Sequence, residues 1–404
     1  VRVLFATWAA PSHLFPMVPL AWAFRAAGHE VRVAAPASGV AAVAATGLSA
    51  VAAGPDVAVA QMAGRERLAP WRSPGEWATG WSARPALLGD AELDVMRALA
   101  DKQLLVADAM LGDLVAFGRR WAPDLVVYDS LCLAGPVAAA ALGVPAYGFV
   151  AGSPAVTRIE RRHPSTEPLP GYLRLFERFG AEPAVEPRGW LDPCPPSLRL
   201  PFDGDRTELR HVSYNGSGTV PGWLLDDPGR PRVVVTGGAA GSKYGGQAGA
   251  GLFHDTLEAV TSLGAEAVLA LTPAQAENLG PVPEGTRVVR SLPFHLLFPA
   301  CHAVVHHGGS GTAFAAFAAG LPQLVLPQAP VLAELARSME ARGAALVLGG
   351  EEQDDPRRFA TAVARLLEDD ELRRAAGKLR DEVASMPPPS AVAATLTPTY
   401  GNLL

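Results

Sequence analysis

The chain has 404 residues, 49% of them hydrophobic and 18% charged, with a formal net charge of -6. That length suggests two or three domains, and so little charge argues against long disordered stretches. The acidic balance speaks against a broad nucleic-acid footprint, so a bound anion must be held by local donors. Cys132, Cys194 and Cys301 are far apart and odd in number, so no disulfide framework is expected, and no zinc-ligand spacing occurs. No apolar run is long enough for a membrane helix, and residues 1–7 are interrupted too soon for a signal peptide. The expected setting is soluble, reducing and cytoplasmic.

Residues 1–7 read as a buried strand, followed by a loop through Trp8, Pro11, His13 and Pro16. Met17, Leu20, Ala21, Phe24 and Ala27 then mark the apolar face of a helix ending at Gly28, and residues 31–35 form the next strand. This is a βαβ unit, which the right-handed crossover rule turns into a parallel sheet. Ligands of such sheets sit at the carboxyl ends of the strands, where His13 lies just before a helix. The pattern Gly-x-Gly-x-x-Gly is absent there, with Pro11 and Pro16 where glycines would be needed, which argues against a dinucleotide enzyme. A helix-capping role for His13 stays open.

Residues 65–88 are rich in Trp, Pro, Arg and Gly, and Trp71, Trp77 and Trp81 recur without clean periodicity. They read as a long mobile loop, an aromatic lid over the site, or else as tryptophans inserted in the core. Residues 91–120 form a long helix and residues 123–129 a strand with Asp129 at its carboxyl end. An aspartate there can fix the tautomer of an imidazole, or cap the helix beginning near Leu133. Residues 143–150 are another strand, residues 151–170 are expected to shape a pocket, and residues 190–196 form a rigid extended segment. The composition places a first domain at residues 1–205, a linker at 206–229, a second domain at 230–386 and a tail at 387–404.

The second half restarts the pattern with a strand at residues 232–236 and a Gly-rich turn, Thr236-Gly237-Gly238-Ala239-Ala240-Gly241-Ser242. A helix at residues 253–263 and a strand at 267–271 follow, and then Val288-Val289-Arg290-Ser291-Leu292-Pro293-Phe294. Residues 303–328 read as strand, tight turn, helix and strand, with His306-His307-Gly308-Gly309-Ser310-Gly311-Thr312 at the turn. Glycines let this backbone approach a ligand closely, and a helix N-terminus there favours an anion. A buried core does not easily satisfy two adjacent imidazoles, which strengthens the case for a phosphate clamp. Helices at residues 332–342, 356–367 and 371–383 and a strand at 344–348 complete the second half.

The His306–Thr312 motif, followed by Gly320-Leu321-Pro322-Gln323-Leu324-Val325-Leu326-Pro327-Gln328, resembles the donor-diphosphate motif of GT-B glycosyltransferases that decorate bacterial natural products. Ser12-His13-Leu14-Phe15-Pro16-Met17-Val18-Pro19-Leu20 resembles the start of their acceptor loop. The resemblance covers essentially the whole chain. It implies an α/β GT-B fold, with two doubly wound, Rossmann-like parallel-sheet domains facing a cleft, and a tail crossing back to the first domain. It implies inverting transfer of a sugar, expected as a dTDP-deoxysugar, to a polyketide-like hydroxyl. His13 would be the catalytic base, Asp129 its partner, and His306 the histidine facing phosphate. The amides of Gly308 to Thr312 and the Thr312 hydroxyl would stabilise charge on the leaving diphosphate, and His307 would serve helix packing more than the nucleotide. Gly237 and Ser242 would face the diphosphate, and Leu292 and Pro293 the base; many relatives carry a tryptophan where Ser291 stands. Many also end the second run with an Asp-Gln pair that binds sugar hydroxyls beyond Gln328. Here Val331 and Leu332 stand at those places, which suggests a donor lacking hydroxyls on that edge. The nucleotide sugar is a co-substrate, and no cofactor or metal is expected. Nucleic-acid and membrane partners are not expected, and the chain should be a monomer or homodimer. An auxiliary protein of the same fold, or a sugar-nucleotide epimerase, are the alternatives.

Overall fold

The computed structural model describes residues 1–57, 67–72, 77–150, 167–202, 204–238, 246–277 and 279–397. The first half builds a sheet from β1 (Arg2–Ala6), β2 (Glu30–Ala35), β3 (Ala50–Ala52), β4 (Leu125–Asp129), β5 (Ala146–Phe149), β6 (Gly189–Asp192) and β7 (Arg206–Glu208). The second half builds another from β8 (Arg232–Thr236), β9 (Glu266–Leu271), β10 (Arg287–Arg290), β11 (Ala303–His306), β12 (Gln323–Val325) and β13 (Ala345–Val347). Every neighbouring pair is parallel. The strand orders are β3-β2-β1-β4-β5-β6-β7 and β10-β9-β8-β11-β12-β13. These are two doubly wound domains, the arrangement that the resemblance implies. Sheets covered by helices on both faces need continuous apolar strands, and β4 and β8 are buried at every residue.

Each strand order reverses once, between β1 and β4 and between β8 and β11. A crevice opens at the carboxyl ends of strands at such a point. Register then dictates which residues reach it: Ala6 lies opposite Tyr128, one residue before Asp129, and His306 lies opposite Thr236.

Three features depart from the expectations. β7 pairs with β6 as the seventh strand, so the first sheet runs on past residue 205 into the segment read as linker. Trp71, Trp77 and Trp81 are buried and meet edge to face, with centroids 5.5 Å apart for Trp71–Trp77 and 4.9 Å for Trp77–Trp81. They form a core with Leu88, Met96 and Leu99 rather than a mobile lid, because three indoles bury more apolar surface together than singly. Val331 of the second domain packs on that cluster. Beside it Glu334, also buried, accepts from Ser82 Oγ at 2.8 Å, from Gly80 N at 3.2 Å and from Arg337 at 2.6 Å. The third departure is the site turn itself, where His306 and His307 exchange their expected places. The tail helix Pro389–Leu396 lays Val392, Ala393 and Leu396 into the first-domain core beside Leu20 and Phe24, crossing back.

Candidate active site

His13 and Asp129 are 116 residues apart, and the parallel pairing of β1 with β4 brings them together. His13 Nδ1 lies 2.9 Å from Asp129 Oδ2. Asp129 Oδ1 accepts the Leu131 amide at 2.9 Å, so each carboxylate oxygen of this fully buried side chain has a donor. An ionised carboxylate can only accept, so the imidazole proton sits on Nδ1 and Nε2 carries the lone pair. Asp129 does not cap the following helix, Ala134–Leu142, whose N-cap residue Leu133 makes no side-chain bond. The Trp8 ring packs against the imidazole at 5.1 Å between centroids.

The second turn separates its two histidines: His306 is the last residue of β11 and His307 the first beyond it. His306, at the end of β11, points inward and is 1% exposed. The Gly308 N–H donates to its Nδ1 at 3.1 Å, which leaves the proton on Nε2, 2.8 Å from Gln323 Oε1 on β12. Burial, reinforced by neighbouring His307, pushes its pKa down to about 3, against the Gln323 hydrogen bond. Both ring nitrogens are therefore spent on holding the turn, and the expectation that His306 faces phosphate is corrected. His307 lines the cleft instead, held neutral by burial at a pKa of about 4, and among the described residues its Nδ1 has no hydrogen-bond partner. The ring lies between the two glycine turns. A Cβ at Gly238, where φ is +60°, would stand 2.5 Å from His307 Cε1, and one at Gly309 would stand 2.5 Å from Nε2.

His307→Ala should weaken binding of a nucleoside diphosphate by about 1.5–3 kcal/mol, the scale of a hydrogen bond to a charged group. His306→Ala should instead lower stability by about 1–3 kcal/mol, since the Gly308 amide and Gln323 lose their buried partner. Titration calorimetry and thermal melts of both variants separate the two roles; the reverse pattern would restore His306 to the phosphate.

Helix Ser310–Ala319 begins at this turn with Gly309 as its N-cap. Thr312 N–H is turned back to Gly309 O at 3.1 Å and Gly308 N–H is held by His306. Ser310 and Gly311, the first helical residues, keep amides without an intrahelical acceptor. These two amides could hold an anion, a narrower set than the whole Gly308–Thr312 run expected.

These groups share one cleft of about 330 Å³ between the domains. Its lining includes His13, Leu292, His307, Gly309 to Thr312, Val331 and Leu332. Gln328 lies outside the lining, because its amide bonds Gln353 Oε1 at 2.8 Å and Leu326 O at 3.1 Å. Gly237 also lies outside it, whereas its neighbours Thr236 and Gly238 line the wall. Pro293 packs on Gly218 rather than facing the cleft, and Ser242 falls outside the described residues. The Phe294 N–H donates to Asn215 Oδ1 at 2.8 Å, docking the linker on this loop. Trp8, Lys102, Gln103, Tyr214 and Gln275 line the cleft as well, and the sequence reading missed them. Trp8 was legible as an aromatic residue directly after the first strand; the others carry no motif.

The geometry matches known proteins closely. Residues 22–238 match the N-terminal domain, and residues 254–398 the C-terminal domain, of the family described as Erythromycin biosynthesis protein CIII-like. The chain belongs to this family of GT-B natural-product glycosyltransferases. It is 36% identical to tylactone mycaminosyltransferase of Streptomyces fradiae, over 96% of this chain and 90% of that one. It is 34% identical to 3-alpha-mycarosylerythronolide B desosaminyl transferase of Saccharopolyspora erythraea, over 97% of this chain and 96% of the other. Among solved structures, the spinosyn rhamnosyltransferase SpnG complexed with thymidine diphosphate superposes with a TM-score of 0.82 at 30% identity, over 98% of this chain and 100% of that one. The CIII-like chain is thus a glycosyltransferase, which displaces the auxiliary-protein and epimerase alternatives. Among the described residues no helix is long and apolar enough to cross a membrane.

Proposed function

We propose that the protein moves a deoxysugar from a pyrimidine nucleoside diphosphate, dTDP first, to a hydroxyl of a polyketide-like natural product, with inversion at the anomeric carbon. The observation that carries this is the meeting, in one cleft, of the His13–Asp129 pair and the His307 turn. His13 Nε2 takes the acceptor proton while the acceptor oxygen bonds to the anomeric carbon. The bond from that carbon to the diphosphate oxygen breaks, and its electron pair leaves with the diphosphate. His307, the Ser310 and Gly311 amides and the Thr312 hydroxyl stabilise that charge as it builds. These donors stand in the place a cation would take, and the reading is metal-independent. The thymidine diphosphate in the spinosyn rhamnosyltransferase supports dTDP, and the aminosugars named for the two relatives support a modified hexose. A cytoplasmic enzyme, monomeric or homodimeric, completes the proposal.

The test is to incubate dTDP- and UDP-sugars with macrolactone and anthracyclinone aglycones, and to read products by mass spectrometry and anomeric configuration by NMR. Inverted products from dTDP donors are expected; retained configuration, or no product from any pair, overturns the reading. The sugar edge gives a sharper expectation. Val331 and Leu332 line the cleft and neither side chain can bond a hydroxyl. Each sugar hydroxyl buried against them would go unsatisfied at about 1–3 kcal/mol. A di- or trideoxy donor should therefore outcompete its fully hydroxylated analogue by about fivefold or more. Preference for the hydroxylated sugar would remove Val331 and Leu332 from donor selection.

A further inference from the structure

The long helix Asp90–Trp121 turns Leu99, Lys102 and Gln103 to the cleft, at the i, i+3 and i+4 spacing that shares one helix face. Gln103 is 2% exposed, and among the described residues its Oε1 has no hydrogen-bond partner. A leucine or methionine would fill that space without burying a polar atom. A buried amide oxygen without a donor destabilises a fold, so its presence beside a cavity asks what donor reaches it.

The surroundings say which half of the cleft this is. Leu99 and Trp71, also in the lining, are buried first-domain residues of one cluster. Lys102 holds its ammonium 4.5 Å from the centre of the Trp8 ring, and that ring packs on His13. The groups facing the diphosphate and base, His307 and Leu292, come from the second domain. Gln103 therefore sits on the His13 side, among aromatic and aliphatic walls suited to a large apolar molecule carrying few hydroxyls.

We propose that Gln103 is a specificity-determining residue that accepts a hydrogen bond from a hydroxyl of the bound polyketide-like acceptor, orienting the molecule beside His13. This rests on the acceptor reading given above. A site built to bond a hydroxyl discriminates strongly against a ligand that cannot pair with it.

The test compares wild type with Gln103→Leu, which keeps a side chain of similar size and removes both polar atoms. The probe is whichever dTDP-sugar and aglycone pair wild type turns over fastest in the panel described above. Two results are expected together. The melting temperature of the free variant is unchanged or higher, because a buried amide oxygen without a donor is gone. Its kcat/KM for the aglycone falls about 5- to 100-fold, while the KM for the dTDP-sugar stays within about twofold. A lower melting temperature would show that Gln103 serves the fold and overturn the proposal. Unchanged aglycone kcat/KM, or a loss shared equally by the dTDP-sugar KM, would overturn it too. A wild type inert with every aglycone brings down the acceptor reading, and with it this inference; an active wild type with an equally active variant brings down this inference alone.

Discussion

Replacing His13 with alanine should leave a folded protein that binds dTDP normally and transfers almost no sugar. Among the described residues the ring makes one side-chain bond, to Asp129, and it packs on Trp8. Its removal takes no group from the second domain, which supplies the diphosphate turn. Without a base the acceptor hydroxyl must attack while still protonated, and loss of a general base costs about two to four powers of ten in rate. Calorimetry should give a dTDP affinity within about twofold of wild type, the mark of a residue used only in the chemical step. A variant of full activity would dismiss His13 as the base. A parallel loss of dTDP affinity would move it to the donor half of the cleft.

Asp129→Asn should be nearly as damaging, although it preserves the shape of the side chain. The carboxylate accepts twice, from the Leu131 amide through Oδ1 and from His13 through Oδ2. An asparagine has one acceptor oxygen and one donor nitrogen. If its oxygen keeps the Leu131 amide, its NH₂ faces His13 Nδ1 and drives the imidazole proton to Nε2. That tautomer presents a proton, not a lone pair, to the acceptor hydroxyl. The rate should fall by about two to four powers of ten. Melting temperature and dTDP affinity distinguish this from damage to the fold: both should stay near wild type. Turnover within about fivefold of wild type would mean that the aspartate does not set the tautomer.

Much of the architecture was legible without coordinates. Continuous apolar runs such as residues 3–6 and 125–128 can be buried on both faces only in a parallel sheet, and glycines after strands mark the turns that face a ligand. Their alternation with helical periodicity implied parallel sheet, and the resemblance implied two wound domains. The boundary of the first domain was misread because β7 is three polar residues, Arg206–Glu208, whose strand character comes only from pairing with β6. The sequence left the tryptophans open between a lid and a core because no local period reveals that three side chains will meet each other, with Val331 from another domain beside them.

By itself, then, the sequence determined the βα alternation of a parallel sheet, the two glycine turns and the residue types able to handle a proton and a diphosphate, because these follow from local periodicity and backbone freedom, while the two-domain fold class came from the family resemblance. Only the tertiary structure decided which partners meet. Asp129 reaches His13 because β1 and β4 lie side by side. Of the two adjacent histidines at the end of β11, the sequence carries no mark of which one points inward. Gln323 on the neighbouring strand settles it by binding His306, and so leaves His307 to the cleft.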